Sequence, residues 1–249
     1  MAVWETLAQR RHQSIVRRQR WPANLAIVVL DTLAVRLVFP LAAVGAALVA
    51  SEQGWGLFNV VDIPFWLAIT ASVLILDLAI YCQHRLFHAT SWLWRLHRMH
   101  HADLDFDVTT GLRFHPLEIV ISMGIKLVVV TLLGAPAASV VLFEVILNAT
   151  SMFNHGNVRM PDRLDRWLRL LLVTPDMHRV HHSVVRRETD SNFGFSVPWW
   201  DRLFGTYIDQ PTGGHDDMVI GIEQFRNPSD LRLGRMLVQP FKDSSDVKR

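Results

Sequence analysis

Cysteine is nearly absent from this chain of 249 residues, because Cys82 is its only cysteine. A single cysteine cannot form an internal disulfide, and a zinc site built from several thiolates is excluded as well. Lysine is almost as scarce, with three lysines against 22 arginines. That ratio is typical of GC-rich coding sequences and favours a bacterial source.

Charge is also scarce, at 19% of residues, against roughly 25% in an average soluble domain. Apolar residues collect instead in four segments: 24–50, 60–82, 117–133 and 137–153. The first two are long enough to cross a bilayer, which takes roughly 20 residues. The last two are joined by Gly134-Ala135-Pro136, which predicts a tight helical hairpin. We therefore predict an all-α integral membrane bundle of about four transmembrane helices. A soluble protein with buried helices is disfavoured by this apolarity.

Arginines are distributed unevenly between the ends of these segments. Five precede the first segment, residues 51–59 contain no lysine or arginine, and the connection after the second segment is arginine-rich again. The positive-inside rule then predicts that both termini are cytoplasmic, in a bacterial inner membrane. The apolar segment after the basic start is too long for a signal peptide and lacks a small-residue cleavage site, so we expect none.

Histidine is the abundant chemical group, and eight of the twelve histidines fall in three histidine boxes. Box one is His84 and His88, box two is His97, His100 and His101, and box three is His178, His181 and His182. Residues three and four apart share a helix face, so each box should present its imidazoles together. Histidine is the commonest metal ligand, and neutral imidazole suits iron, zinc, copper or nickel. Eight imidazoles are enough for two metal ions.

His155 is a ninth candidate ligand, because it ends the fourth apolar segment on the predicted side of the boxes. His115 precedes Pro116 and is expected either to cap a helix or to support a ligand. His12 and His215 have no partner in sequence and are predicted to be surface residues.

Polar residues inside the apolar segments are candidates for supporting the ligands or lining a route to them, since charge within a membrane is costly. Asp77 and Tyr81 continue the stripe of box one, and Glu144 and Asn148 continue that of His155. The alternative is that the two carboxylates pair with other polar groups for packing, and Lys126 is one such partner.

The chain is predicted to form one membrane domain. It comprises a basic tail at 1–23, four spans at 24–153 with boxes one and two in the middle loop, a cytoplasmic helical cap with box three at 154–223, and a loosely structured tail at 224–249. Within the cap, 162–173 reads as an amphipathic helix with Leu164, Trp167 and Leu171 on one face and three arginines off it. That helix should lie in the membrane interface or pack on the cap.

These residues resemble the fatty acid hydroxylase and sterol desaturase superfamily, integral membrane di-iron oxygenases with histidine boxes. The resemblance spans about 75–207 and includes all three boxes, the run Arg113-Phe-His-Pro-Leu-Glu118, Asn192-Phe-Gly and the closing Trp200-Asp-Arg-Leu-Phe-Gly-Thr-Tyr207. Where some members carry a further histidine, this chain has Ser151. The resemblance adds Glu118 and Asn192 to the supporting residues.

The resemblance implies two irons per chain, with O2 as co-substrate, and oxidation of an unactivated C–H bond in a membrane lipid. Hydroxylation is expected ahead of desaturation, and no catalytic residue separate from the metal ligands is expected. Electrons would come from a separate donor, a ferredoxin or a cytochrome b5 with its reductase, and no nucleic acid partner is implied. The lipid could be a sterol, fatty acyl chain, sphingolipid, carotenoid, hopanoid or ether lipid.

A non-catalytic membrane protein that binds metal or transfers electrons is the alternative of another class. A bis-histidine cytochrome would place single histidines on facing helices at membrane depth, whereas the boxes here carry His-His doublets at helix ends. A transporter would place ligands along a path through the membrane, not together on one side.

Overall fold

Helices are the only regular elements of residues 1–242, the part of the chain that the computed structural model describes. The all-α prediction is therefore confirmed. The α-helices are α1 Ala2–Leu7, α2 Arg17–Val38, α3 Ala42–Glu52, α4 Leu57–Val60, α5 Phe65–Ala89, α6 Ser91–His101, α7 Pro116–Leu133, α8 Ala137–Asn154, α9 Asp162–Leu168, α10 Pro175–His181, α11 Arg186–Thr189, α12 Trp199–Leu203, α13 Gly214–Asp217 and α14 Leu233–Val238. Three 3₁₀ turns lie at Thr110–Leu112, Pro228–Leu231 and Gln239–Phe241.

Four stretches are long and apolar enough to span a membrane, as predicted: α2 to α4, α5, α7 and α8. The first is broken, because α2 ends at Val38 and α3 begins at Ala42. Pro40 lies in the break, and proline has no N–H to continue a helical ladder. The second runs seven residues past the predicted end at Cys82, and this extension carries His84 and His88.

The four spans pack through small residues on one side and leave apolar side chains facing outward. Ala43 and Ala47 of α3 are buried against Val130 of α7 and Phe143 of α8. Only 11% of the most apolar window of α7 is buried, and Val128 and Leu132 are exposed. Outward-facing apolar side chains are what a bilayer requires of a helix bundle.

Gly134 makes the sharp turn between α7 and α8. It ends α7 with φ 62°, a left-handed conformation that glycine adopts without a steric penalty. A Cβ on Gly134 would lie 2.7 Å from the carbonyl oxygen of Trp55. The close approach of these two loops depends on this glycine, and the hairpin predicted at residues 134–136 is present.

The histidine-bearing ends of α5, α7 and α8 meet the start of α2 at one end of the bundle, under a cap of loops and short helices. The basic N-terminal segment belongs to this cap, since the buried Glu5 accepts hydrogen bonds from the backbone N–H groups of Val108 and Asn157. It is folded against the cap, which the prediction of a tail at 1–23 did not foresee.

Arg20 joins the first span to the loop after box two. It lies fully buried and donates to Asp103 at 2.8 Å and to Asp107 at 2.6 Å. Burial of Asp103 opposes its ionisation, but Arg20 and Arg113 overcome that and lower its pKa to about 2. A buried arginine between two carboxylates fixes the distance between the two segments, because removing any one member strands a charge.

The predicted amphipathic helix at 162–173 differs from the structure in length and in the direction of one arginine. Helix α9 ends at Leu168, and Arg169 turns inward to pair with Asp165 at 2.6 Å and Asp209 at 3.0 Å. The apolar residues Leu164, Trp167 and Leu171 are exposed. Packing of this stripe onto the cap is therefore wrong, and its exposure favours contact with the membrane interface.

The prediction of a loosely structured tail from residue 224 is wrong for residues 228–241. Asn227 and Asp230 form a capping box that starts a 3₁₀ turn, and α14 follows it. Met236 is completely buried in a cluster with Ile27 and Met99. This segment therefore braces α2 and α6. The last part of the predicted tail, 243–249, lies outside the described residues.

We expect Arg20→Met to lower the free energy of unfolding by roughly 3–5 kcal/mol, because it leaves two buried carboxylates without their shared cation. Thermal unfolding in detergent, followed by tryptophan fluorescence, measures the change. Arg18→Met is the matched control, because Arg18 lies on the same helix and is exposed. Equal stability of the two variants would refute the role of the buried network.

Candidate metal centre

Nine histidines meet under the cap in two adjacent groups. One ligand atom from each member of a group lies within 4.8 Å of those from the others. The first group is His84, His88, His97, His101 and His181, and the second is His100, His155, His178 and His182. All nine are buried. These are the nine residues singled out from the sequence.

The boxes divide between the two groups in a way that the prediction of one shared face per box did not anticipate. His97 and His101, four apart on α6, point into the first group, while His100 points into the second. Box three is split in the same manner, with His181 in the first group. Neighbouring residues on a helix point in different directions, so each His-His doublet contributes one ring to each group. The rings of His101 and His182, one from each group, have centroids 4.6 Å apart.

Hydrogen bonds to carbonyl or carboxylate oxygens fix the Nδ1 side of five rings. The Nδ1 partners are the Phe193 carbonyl at 2.8 Å for His84, Asp190 at 3.2 Å for His88, Glu118 at 2.6 Å for His97, the Ser151 carbonyl at 2.8 Å for His155 and the Ser191 carbonyl at 2.7 Å for His181. A backbone carbonyl can only accept, so Nδ1 of His84, His155 and His181 carries the proton, and the carboxylate forms of Asp190 and Glu118 set the same tautomer for His88 and His97. A neutral ring then has a lone pair at Nε2, pointing inward.

The inward lone pairs face one another. Nε2 of His84 and Nε2 of His97 lie 3.1 Å apart, and neither neutral ring has a proton there to donate. In the second group, Nε2 of His155 lies 3.1 Å from Nε2 of His178 and 3.3 Å from Nε2 of His100. The single lone pair on His155 Nε2 accepts only one hydrogen bond, so hydrogen bonding does not account for both contacts. Nitrogens bound to one metal ion at about 2.1 Å lie roughly 3 Å apart when their bonds are near perpendicular. The geometry therefore fits cations between the rings.

Further ring nitrogens are buried with no hydrogen-bond partner among the described residues. They include both nitrogens of His101 and of His182, together with Nε2 of His88 and of His181. Buried polar atoms are almost always paired in folded proteins, because leaving one unpaired is costly. So many unpaired nitrogens in one place are accounted for by metal ligation, and the donor set fits two ions.

Burial keeps the cap imidazoles neutral, which is the form that binds metal. It lowers the pKa of His97 to about 3 and that of His155 to about 4. Burial, followed by the neighbouring imidazoles, lowers the pKa well below its usual range for His100, His101, His178, His181 and His182. Protonation therefore does not compete with a metal ion near neutral pH.

The sequence missed most of the groups that orient the rings. Glu118 was named in advance, but Asp190 was not, although it lies eight residues after His182 and is a carboxylate. The carbonyls of Phe193, Ser191 and Ser151 have no side-chain signature at all, because every residue carries one. Only the motif Asn192-Phe-Gly drew attention to the segment that supplies the first two.

Asp201 holds the segment that contains Phe193 and Gly194 in place. Its carboxylate accepts hydrogen bonds from the backbone N–H groups of Phe193 and Gly194, both at 2.8 Å, and from the Thr206 hydroxyl at 2.7 Å. A Cβ on Gly194 would lie 2.8 Å from the carboxylate, so glycine permits the close contact. Burial raises the pKa of Asp201 to about 6. The closing motif thus positions the carbonyl that fixes His84.

Several supporting residues predicted from the sequence do not touch the nine rings. Asp77 accepts a hydrogen bond from Trp200 Nε1 at 2.8 Å, and Tyr81 bonds to the Thr206 hydroxyl at 2.8 Å. Both attach α5 to the closing motif. Asn192 donates to the carbonyls of Met177 and Ile208. Asp77 and Tyr81, on the stripe of box one, therefore bond to the closing motif and not to the histidine rings.

His115 is the N-cap of α7, where its Nδ1 accepts from the Leu117 N–H at 3.2 Å. The capping alternative therefore describes it. Glu144 pairs with Lys126 at 2.7 Å, as the packing alternative had it. Asn148 donates to the carbonyl of Glu144 in its own helix. His215 is buried near Asp176, so its prediction as a surface residue is wrong. His12 is exposed as predicted.

A cavity of about 490 Å³ reaches into the bundle from the first histidine group. Its lining includes His84, His97 and Phe114, and apolar residues of α2, α3, α5, α7 and α8. Glu144 and Asn148 also line it, whereas Asp77 does not. A route to the metals along α8 therefore stays a prediction.

Comparison with known proteins gives one family and several relatives. A family model described as fatty acid hydroxylase matches residues 69–206. An ornithine lipid hydroxylase of Rhizobium tropici is 30% identical over 157 residues, which is 63% of this chain and 46% of the relative. An alkylglycerol monooxygenase of Danio rerio is 30% identical over 174 residues, 68% of this chain and 36% of the relative. The chain thus spans less than half the length of these relatives. No solved structure matches it.

We expect the full-length protein to bind two metal ions and His100→Ala and His181→Ala each to lose at least one, because each removes a ligand from a different group. Metal analysis of the purified protein measures this. His12→Ala is the control, since His12 is exposed and belongs to neither group. Full metal content in both cluster variants would contradict the assignment.

Glu118→Gln should weaken metal binding by roughly 10- to 100-fold, the usual effect of altering the partner of a metal-bound histidine. The amide retains an acceptor for His97 Nδ1 but not the charge. A chelator competition titration gives the affinity, and Glu144→Gln, a change at a carboxylate that touches no ring, is the matched comparison. Equal metal affinities of the two variants would contradict a role for Glu118 in the metal centre.

Proposed function

This chain belongs to the fatty acid hydroxylase family, and from that premise we propose that it hydroxylates an unactivated C–H bond of a membrane lipid with O2 at two irons. The observation that carries the proposal is the pair of neutral, buried imidazole groups at the end of a cavity inside four apolar helices. A cavity with mainly apolar walls that reaches a metal centre from within the spans suits oxidation of a lipid and not transport of an ion.

The names of the relatives support a lipid substrate and an oxidative reaction. One relative is named for the hydroxylation of ornithine lipids and others for the mono-oxygenation of alkylglycerols. Each of these proteins acts on a lipid, so we propose a lipid substrate for this chain as well. Hydroxylation is favoured over desaturation, because these names describe insertion of oxygen.

Iron is the proposed metal, held as two ions by the five-histidine and four-histidine groups. Nitrogen ligands alone also suit zinc or copper, and the family favours iron. When bound, iron supplies the one-electron and O2 chemistry that amino-acid side chains lack. His84, His88, His97, His101 and His181 would hold one ion, and the other four would hold the second.

The protein itself orients the ligands and excludes water. Phe114 stacks on His100 with ring centroids 4.4 Å apart, and Phe193 and Phe195 pack against His84. These rings cover the imidazoles with apolar surface. A dry, closed centre protects reactive intermediates and the substrate from side reactions. The substrate would enter the cavity from the bilayer between the helices.

We further propose that the cap and both termini face the cytoplasm of a bacterial inner membrane. The support is the arginine content of the cap-side segments and its absence from residues 51–59 at the other end. A cytoplasmic metal centre could receive electrons from a soluble or membrane-attached donor, for which a ferredoxin or a cytochrome b5 with its reductase is proposed.

Cells that express the protein should accumulate a lipid heavier by one oxygen atom, and that oxygen should come from isotopically labelled O2 and not from labelled water. Comparative lipidomics of cells with the wild-type protein and with His100→Ala measures this, and the variant should form none of the product. A lipid lighter by two hydrogens would indicate desaturation instead. A lipid profile identical to that of the variant would reject both reactions.

A further inference from the structure

The cavity that leads to the first histidine group has a polar wall, although it lies within the spans. Four of its polar side chains form two pairs. Lys126 binds Glu144 at 2.7 Å, and the Gln83 amide donates to the Ser122 hydroxyl at 2.7 Å. Such pairs are the usual way to keep polar groups inside a membrane. Asp31 of α2, which lines the same cavity, is different.

Asp31 has no partner among the described residues. Its side chain forms no hydrogen bond or ion pair with them, and its Oδ1 is completely buried. The residue is only 8% exposed, so little of it reaches the protein surface. An unpaired buried carboxyl group is costly, and the cavity in front of it is the place from which a partner can come.

The position of Asp31 relates that partner to the metal centre. Asp31 and Glu118 line the same cavity, and Glu118 contacts His97 at 2.6 Å. His84 and His97 of the first histidine group line that cavity too. A group bound by Asp31 therefore shares one cavity with two of the histidines.

The required chemistry is that of a hydrogen-bond donor. A carboxylate accepts from hydroxyl, amide and ammonium groups and gains nothing from a methylene chain. The same cavity is also lined by Val28, Ile80 and Leu147, which suit an apolar chain. An amphiphile with its donor group beside Asp31 and its chain along these apolar residues would satisfy both surfaces.

We propose that Asp31 binds the hydroxyl or ammonium group of the lipid headgroup and so places a carbon close to that headgroup at the metal centre. This inference rests on the proposed function for its reaction but not for its binding step. Asp31 is thus a positioning residue that selects lipids with a donor in the headgroup. A lipid without a donor would leave the carboxylate unpaired and bind less well.

Binding of three probes to the full-length protein in lipid nanodiscs tests the proposal: an alkylamine, an alkylglycerol and the alkane of the same chain length. Asp31→Leu should weaken binding of the donor-bearing probes about tenfold or more and leave alkane binding unchanged. Asp31→Asn should weaken the amine most, because the charge is lost. Asp62→Asn, at an exposed aspartate, is the matched control.

The two donor probes distinguish an ammonium from a hydroxyl as the natural group. Metal content, measured on the same samples, should stay at the wild-type value and thermal stability should not fall, which separates binding from folding. If Asp31→Leu fails to fold, the isosteric Asp31→Asn carries the test through its affinity for the amine.

Equal affinity of wild type and both variants for all three probes would overturn the proposal. Binding that depends on Asp31 in a protein that forms no oxidised lipid would instead leave this inference standing and refute the proposed reaction. With an active enzyme, the Asp31 variants should raise KM more than they lower kcat. A lower kcat at constant KM would contradict a positioning role in binding.

Discussion

Nitrogen lone pairs that face each other at about 3 Å repel unless a cation lies between them, and this constraint organises the cap. His84 and His97 are held in that arrangement by oxygen acceptors behind both rings. The acceptors leave no proton for the inner face, so the folded cap has a strong preference for bound metal. Metal binding and correct folding of the cap should therefore be coupled.

Buried ion pairs and backbone hydrogen bonds outside the histidine groups hold the rings in this arrangement. Arg20 fixes the loop after box two against the first span through Asp103 and Asp107. Asp201 fixes the segment that carries the Phe193 carbonyl. Breaking either of these networks is strongly destabilising, because it leaves a buried charge without a partner. They explain why the chain needs so many charged residues at one end of an apolar bundle.

The sequence predicted the four spans and all nine clustered histidines, because hydropathy and helical spacing are local properties. It did not predict how each His-His doublet divides between two groups, since that depends on the relative rotation of α6 and α10. It left two roles open for Asp77, whose helical register matches box one, and the observed partner Trp200 agrees with the packing alternative. Backbone acceptors such as the Ser191 carbonyl are invisible to residue types, and Arg169 turns inward because of Asp209, which is 40 residues away.

Charge inside the bundle separates two roles that the sequence could not distinguish. Lys126 and Glu144 neutralise each other, so their pair can be tolerated within the membrane without any ligand. Asp31 has no such compensation, although it lines the same cavity and is buried. Stability alone favours a neutral residue at position 31. The carboxylate is therefore best explained by an occupant of the cavity, whose polar part shares that cavity with His84 and His97.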